Sequence, residues 1–90
     1  MVTLEQAKTN LRITTDRLDD EIEQAIKACY ADLAMAGVLS VEGTLADMAV
    51  RLYCRWQFGF DGKPERYEKA YTGLKNAMSL CGDYNGGGHV

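Results

Sequence analysis

Histidine is almost missing from this chain. The single one, His89, sits in a glycine-rich end beside Gly86, Gly87 and Gly88. That removes the usual general base from any folded core, and it leaves no donor set for a four-ligand zinc site. Proline is equally scarce, with Pro64 alone, so long helices can run uninterrupted. No apolar run approaches the roughly 20 residues of a membrane span. The opening Met1-Val2-Thr3-Leu4-Glu5 lacks the basic and apolar regions of a signal peptide, so synthesis and assembly in a cytoplasm are expected. An excess of basic charge is absent as well. The net charge is -3 and the pI about 5.0, unlike the footprint of a dedicated nucleic-acid binder. The three cysteines, Cys29, Cys54 and Cys81, are far apart and form no CxxC pair. They read as small buried hydrophobes in a reducing compartment. The carboxylates near Asp19 lack the spacing of a calcium loop, and the glycines near the end neither follow a strand nor open a helix. No catalytic residue, cofactor or metal is therefore expected.

What remains is ordinary for one small domain. The chain has 90 residues and is 47% hydrophobic, enough for a core and too much for a disordered chain. A domain of this size buries only about 60–65% of the surface that its unfolded chain exposes, so its stability is marginal. Charge is unevenly spread. Residues 1–45 carry four basic and eight acidic side chains, and residues 46–90 carry six basic and five acidic. Such a division suits head-to-tail contact between copies, although solubility alone accounts for it too.

Periodicity predicts four helices. Thr3 and Gln6 have the spacing of a capping box, opening a short helix from Leu4 to about Asn10 whose apolar edge is Leu4, Ala7 and Leu11. Thr14-Thr15-Asp16 opens the second. Leu18, Ile22, Ala25, Ile26, Cys29, Leu33 and Ala36 then recur three and four apart. Acidic residues crowd its first turns, where the helix dipole favours them, and Gly37 is placed to end it. After a loop over 38–43, Thr44 caps the third helix, which runs to near Gly59. Residues 60–63 form a turn. Pro64 suits the first position of the fourth helix, whose apolar face is Tyr67, Ala70, Tyr71, Leu74, Ala77, Met78 and Cys81, with Gly82 as its stop. The expected fold is all-α: a compact bundle of four helices, one short and three longer, over residues 1–83, followed by a flexible glycine-rich tail over 84–90.

The third helix carries two apolar stripes. At about 100° per residue, Leu45, Met48, Ala49, Leu52, Tyr53, Trp56 and Phe60 share one face, and Val50, Cys54 and Phe58 fall nearly opposite. If the first stripe faces the core, the second needs a further partner, in this chain or in another copy. Val50, Cys54 and Phe58 are accordingly candidates for a subunit interface. Phe60 joins them because aromatics flanking Gly59 at a helix end are hard to bury and are enriched at interfaces. Arg51 and Arg55, four apart between the stripes, are candidates for a carboxylate or phosphate of a neighbour, or for a solvated face.

Leu4-Glu5-Gln6-Ala7-Lys8, then Leu11-Arg12-Ile13, then Asp16, Asp19-Asp20 and Ile22-Glu23 through Ile26, resemble the opening of the phage head–tail connector family, small neck adaptors also called DNA-packaging proteins. Ala49-Val50-Arg51-Leu52-Tyr53 through Phe58-Gly59 is similar to the later helix and loop of its members, and Lys63 to Leu80 fits a shorter, Gram-positive-type variant. Thr14-Thr15 stands where the family often has an acidic residue. The resemblance implies a helical adaptor that forms a ring under a dodecameric portal, lengthens the DNA channel and docks a downstream neck or tail-completion protein. It implies no membrane, no catalysis and no sequence-specific DNA contact, with assembly in the host cytoplasm and a final place in the virion neck. The other readings are a small DNA-binding regulator and a thiol enzyme. The loop between the second and third helices is long for a helix-turn-helix, and neither helix presents a basic face.

Overall fold

The computed structural model of the chain describes residues 2–38 and 43–80. Its elements are α1 (Leu4–Leu11), α2 (Asp19–Met35), α3 (Thr44–Gln57) and α4 (Pro64–Ser79), with a 3-10 turn at Phe60–Gly62 before α4. No strand occurs among the described residues. The expected segments 81–90 and 39–42, with Cys81, Gly82 and the tail, lie outside them.

Local chemistry sets the ends of these helices. Thr3 and Gln6 form the expected capping box: the Gln6 amide donates to Thr3 Oγ1 at 3.2 Å, and the Thr3 amide donates to Gln6 Oε1 at 3.1 Å. At the end of α2, Gly37 takes φ +89°. Its amide reaches the Ala34 carbonyl at 3.0 Å and the Val38 amide reaches the Leu33 carbonyl at 2.8 Å. These paired bonds satisfy orphan carbonyls, and the fully buried Val38 and Leu33 supply the apolar contact that accompanies this ending. The end of α1 has the same pattern with Arg12 in the left-handed position at φ +58°, Ile13 bonding back to Lys8 at 2.9 Å.

Two starts differ from expectation. α2 begins at Asp19 because Thr15 Oγ1 accepts from the Arg17 amide at 3.2 Å, which makes a turn of the preceding residues. α3 is capped by Gly43, and Thr44 is its first helical residue.

The helices alternate in direction. Val2 meets Tyr30, and Lys8 meets Asp19, so α1 runs against α2. Cys29 and Asp32 meet Tyr71, and Asp32 also meets Lys75, so α2 and α4 run in the same sense where their side chains touch. α3 runs back between them and is the only described helix that packs extensively on each of the other three.

That central position explains both stripes. Ala46, Ala49, Val50 and Cys54 are all buried, at 1% exposure or less, and all join one hydrophobic core with Ile22, Cys29, Leu33, Tyr71 and Met78. The small Ala46 and Ala49 let neighbouring helices approach closely, and the core-facing arc of α3 spans the space between the stripes. A helix enclosed by others needs apolar residues over most of its circumference. Val50 and Cys54 thus belong to the interior of one protomer, and Phe58 is half-buried against the same core. The expectation that Val50 and Cys54 wait for a neighbouring copy is corrected for that reason, and Phe58 keeps part of its surface open. On α4, Ala70 and Ala77 are exposed, so its buried face is narrower than the periodicity suggested, with Tyr71 and Met78 at its centre.

Replacing Val50 by Ala should lower stability by about 2 kcal/mol, through lost burial and a residual cavity. The loss should be the same in dilute and concentrated protein. Urea unfolding at two concentrations checks this, and an effect present only in the concentrated sample would return Val50 to an interface.

Candidate assembly surface

With Val50 and Cys54 inside, the surplus apolar surface of α3 lies on the edge that the sequence had assigned to the core. Leu45 is 39% exposed and Met48 46%, and Leu52, one turn further, is half-buried. Three positions at spacings of three and four make a continuous ridge on a helix. Beside it, α1 and α3 enclose two adjoining concavities. One, of about 310 Å³, is lined by Glu5, Gln6, Thr9, Asn10 and Arg51. The other, of about 130 Å³, is lined by Asn10, Met48, Arg51, Leu52 and Arg55. Together they form a groove with polar side chains at one end and Met48 and Leu52 at the other, and Asn10 and Arg51 line both parts.

The two arginines behave differently. Arg55 is bound within the protomer: its Nε donates to Asn10 Oδ1 at 3.0 Å, and its second guanidinium nitrogen donates to the Asn10 carbonyl at 3.4 Å. Its guanidinium stands 4.4 Å from the centre of the Phe60 ring and 5.6 Å from that of Tyr67. Arg12 approaches the same Phe60 ring at 5.8 Å. One side chain thereby ties the end of α1 to the 3-10 turn and the start of α4, and cation–π attraction adds to the hydrogen bonds. Phe60 is half-buried as part of this cluster. Arg51 is exposed and makes no hydrogen bond or ion pair with the described residues.

A partly buried polar cluster on the far side of α3 went unread in the sequence. Tyr71, 1% exposed, donates from its hydroxyl to Asp32 Oδ2 at 2.6 Å, and Lys75 Nζ reaches the same oxygen at 3.0 Å. The Cys29 thiol points at the Tyr71 hydroxyl at 3.9 Å. The Tyr71 hydrogen bond, then Lys75, hold the Asp32 carboxyl below its ordinary range against some desolvation. Burial, then the hydrogen bond to Asp32, push the Tyr71 hydroxyl well up. Around it, Tyr53 meets Tyr71 edge-on at 5.2 Å and Trp56 at 5.5 Å. The clue was available: Asp32 lies directly before Leu33 on an otherwise apolar edge of α2, and Tyr71 and Lys75 are four apart. Nothing in the pattern, however, said that these two helices meet. A second ion pair, Lys8 to Asp19 at 2.9 Å, ties α1 to the start of α2. The hydrogen bond to Asp19 holds the Lys8 ammonium above its ordinary value.

These groups do not make a reactive centre. Burial pushes the Cys29 thiol up to about 12 and the Cys54 thiol up to about 11, so both are protonated and shielded at neutral pH. No group of three or more potential metal ligands occurs among the described residues. No helix among them is long and apolar enough to cross a membrane.

Two measurements follow from this cluster. Asp32 stabilises the fold fully above its unfolded-chain value of 3.8, and that contribution is lost as pH falls through its lower native value. Water around the half-exposed carboxylate limits the effect, so Asp32→Asn should cost about 1 kcal/mol at pH 7. The gap from the parent chain should narrow as pH is lowered to about 2.5, as read by urea unfolding. Separately, Cys29 and Cys54 should react with a thiol reagent only as fast as the protein opens. Rapid labelling of either one in the folded state would reveal an activated thiol.

Compared with known families, the chain matches the one described as phage connector protein over residues 3–85. No curated protein and no solved structure gives a match.

Proposed function

The chain belongs to the phage connector protein family, and we propose that it works as a ring beneath the portal vertex, joining capsid to neck and keeping packaged DNA in place. Its role is that of a phage head–tail connector, a structural part. The family match across nearly the whole chain carries this reading. The geometry supports it in a simple way: partly buried polar groups tie the helices together, and an apolar ridge on α3 stays exposed beside the groove with α1.

In this reading the ring extends the DNA channel of a dodecameric portal and offers its other face to a downstream neck or tail-completion protein. DNA passes through without sequence-specific contact. The protomers contact through the exposed edge of α3, with Arg51 at its centre. Arg55 lines the same groove but is already held by Asn10 and Phe60 of its own protomer, and the half-buried Phe58 and Phe60 keep the part of their surface that a neighbour could cover. Burying Leu45, Met48 and Leu52 contributes on the order of 1.5–3 kcal/mol for each side chain that becomes fully covered. A modest contact suffices, because a ring repeats it at every junction.

The test is reconstitution with the portal protein of the same phage. Co-sedimentation and electron microscopy should show the protein bound at the portal as a ring. A Met48→Asp, Leu52→Asp variant that keeps its helical circular dichroism should weaken this assembly at least about tenfold. A chain that stays monomeric at every concentration and ignores the portal would defeat the proposal.

A further inference from the structure

Resting on the ring reading, we infer that the α1/α3 groove of one copy receives the acidic start of α2 from the next copy, with Arg51 as the discriminating charge. The concavity lined by Asn10, Met48, Arg51, Leu52 and Arg55 holds two guanidiniums and no carboxylate. Arg55 is committed to Asn10 and Phe60, so Arg51 is the cation available to a partner on this surface. Glu5 lies in the adjoining concavity and bounds the positive stretch on that side.

The complementary surface lies at the opening of α2. Asp16, Asp20, Glu21 and Glu23 are all exposed, and none has an ion pair among the described residues. Asp19, in their midst, is already taken by Lys8 at 2.9 Å. Like charges three and four apart on a helix repel one another, and the helix dipole offsets only part of that repulsion. A guanidinium from outside relieves it. α1 separates the two surfaces: its Lys8 faces α2, whereas its Gln6, Thr9 and Asn10 line the α3 groove. The patches are therefore different and lie on different sides of one helix. Such a pair suits a head-to-tail contact that propagates from copy to copy, as a closed ring requires. Charge in this arrangement sets register and partner choice, and the Leu45–Met48–Leu52 ridge supplies the apolar contact.

Charge reversal tests the pairing. Sedimentation velocity would follow the parent chain, Arg51→Glu, Asp20→Lys with Glu23→Lys, and an equimolar mixture of the two variants. All these positions are exposed, so circular dichroism should be unchanged. Each variant alone should self-associate about tenfold more weakly than the parent. The mixture should recover. In it, the glutamate introduced by Arg51→Glu meets the introduced lysines of the second variant, and the second variant's native Arg51 meets the intact acidic turn of the first. Parent-like association of Arg51→Glu, or no recovery on mixing, would overturn the inference. So would a parent chain that never self-associates. Portal binding is scored in parallel. If Arg51→Glu loses the portal but keeps self-association, the groove belongs to the portal, and this inference falls while the connector role stands.

Discussion

The enclosure of α3 is the constraint on which the rest of this small protein depends. With 90 residues, the fold has too little chain for a second layer behind its core. One helix therefore serves as the common floor for the other three, and its apolar arc must be broad. Ala46 and Ala49 make that arc thin enough for close approach, and Val50 and Cys54 carry it round to the far side. Whatever remains apolar outside the arc is surface. That remainder is the Leu45–Met48–Leu52 edge, and its position beside α1 is a consequence of how the bundle closes.

Polar chemistry reinforces this arrangement at three points. Lys8 and Asp19 fasten α1 to α2, Arg55 fastens the end of α1 to the turn before α4, and Tyr71 fastens α4 to α2 through Asp32. Each tie joins elements that are not adjacent in the chain or are joined by irregular backbone. Short connections alone would leave those junctions loose, and a marginal core benefits from directional bonds that select one packing over others. A scaffold whose partly buried charges are matched internally, and which leaves Arg51 exposed beside an apolar ridge, is suited to holding a neighbour.

Much of the fold was legible in the residues. The capping box at Thr3 and Gln6, the left-handed Gly37 and Pro64 at the first position of α4 each act within a turn of themselves, so local chemistry fixes them wherever the helix docks. The family resemblance likewise rested on short motifs, and the family match bears it out. The start of α2 was less legible, because Thr15 has the chemistry of a helix cap but uses it on a turn. The apolar residues of α3 that stay outside the core were read on the wrong side of the helix: Val50 and Cys54 are buried, and Leu45 and Met48 are exposed. Periodicity reports which residues share a face. It does not report which face is inside when both are apolar.

The sequence by itself determined the number, order and kind of the helices, because spacing, caps and glycines are local properties of the chain. It also determined that α3 has more apolar surface than a single neighbour can cover. Only tertiary structure decided how that surface is divided. Val50 and Cys54 went inward and Met48 stayed out because the direction of burial depends on three other helices, and their placement is a property of the whole packing. The same is true of Tyr71 and Lys75, which lie 39 and 43 residues from Asp32 and meet it only after the bundle has closed.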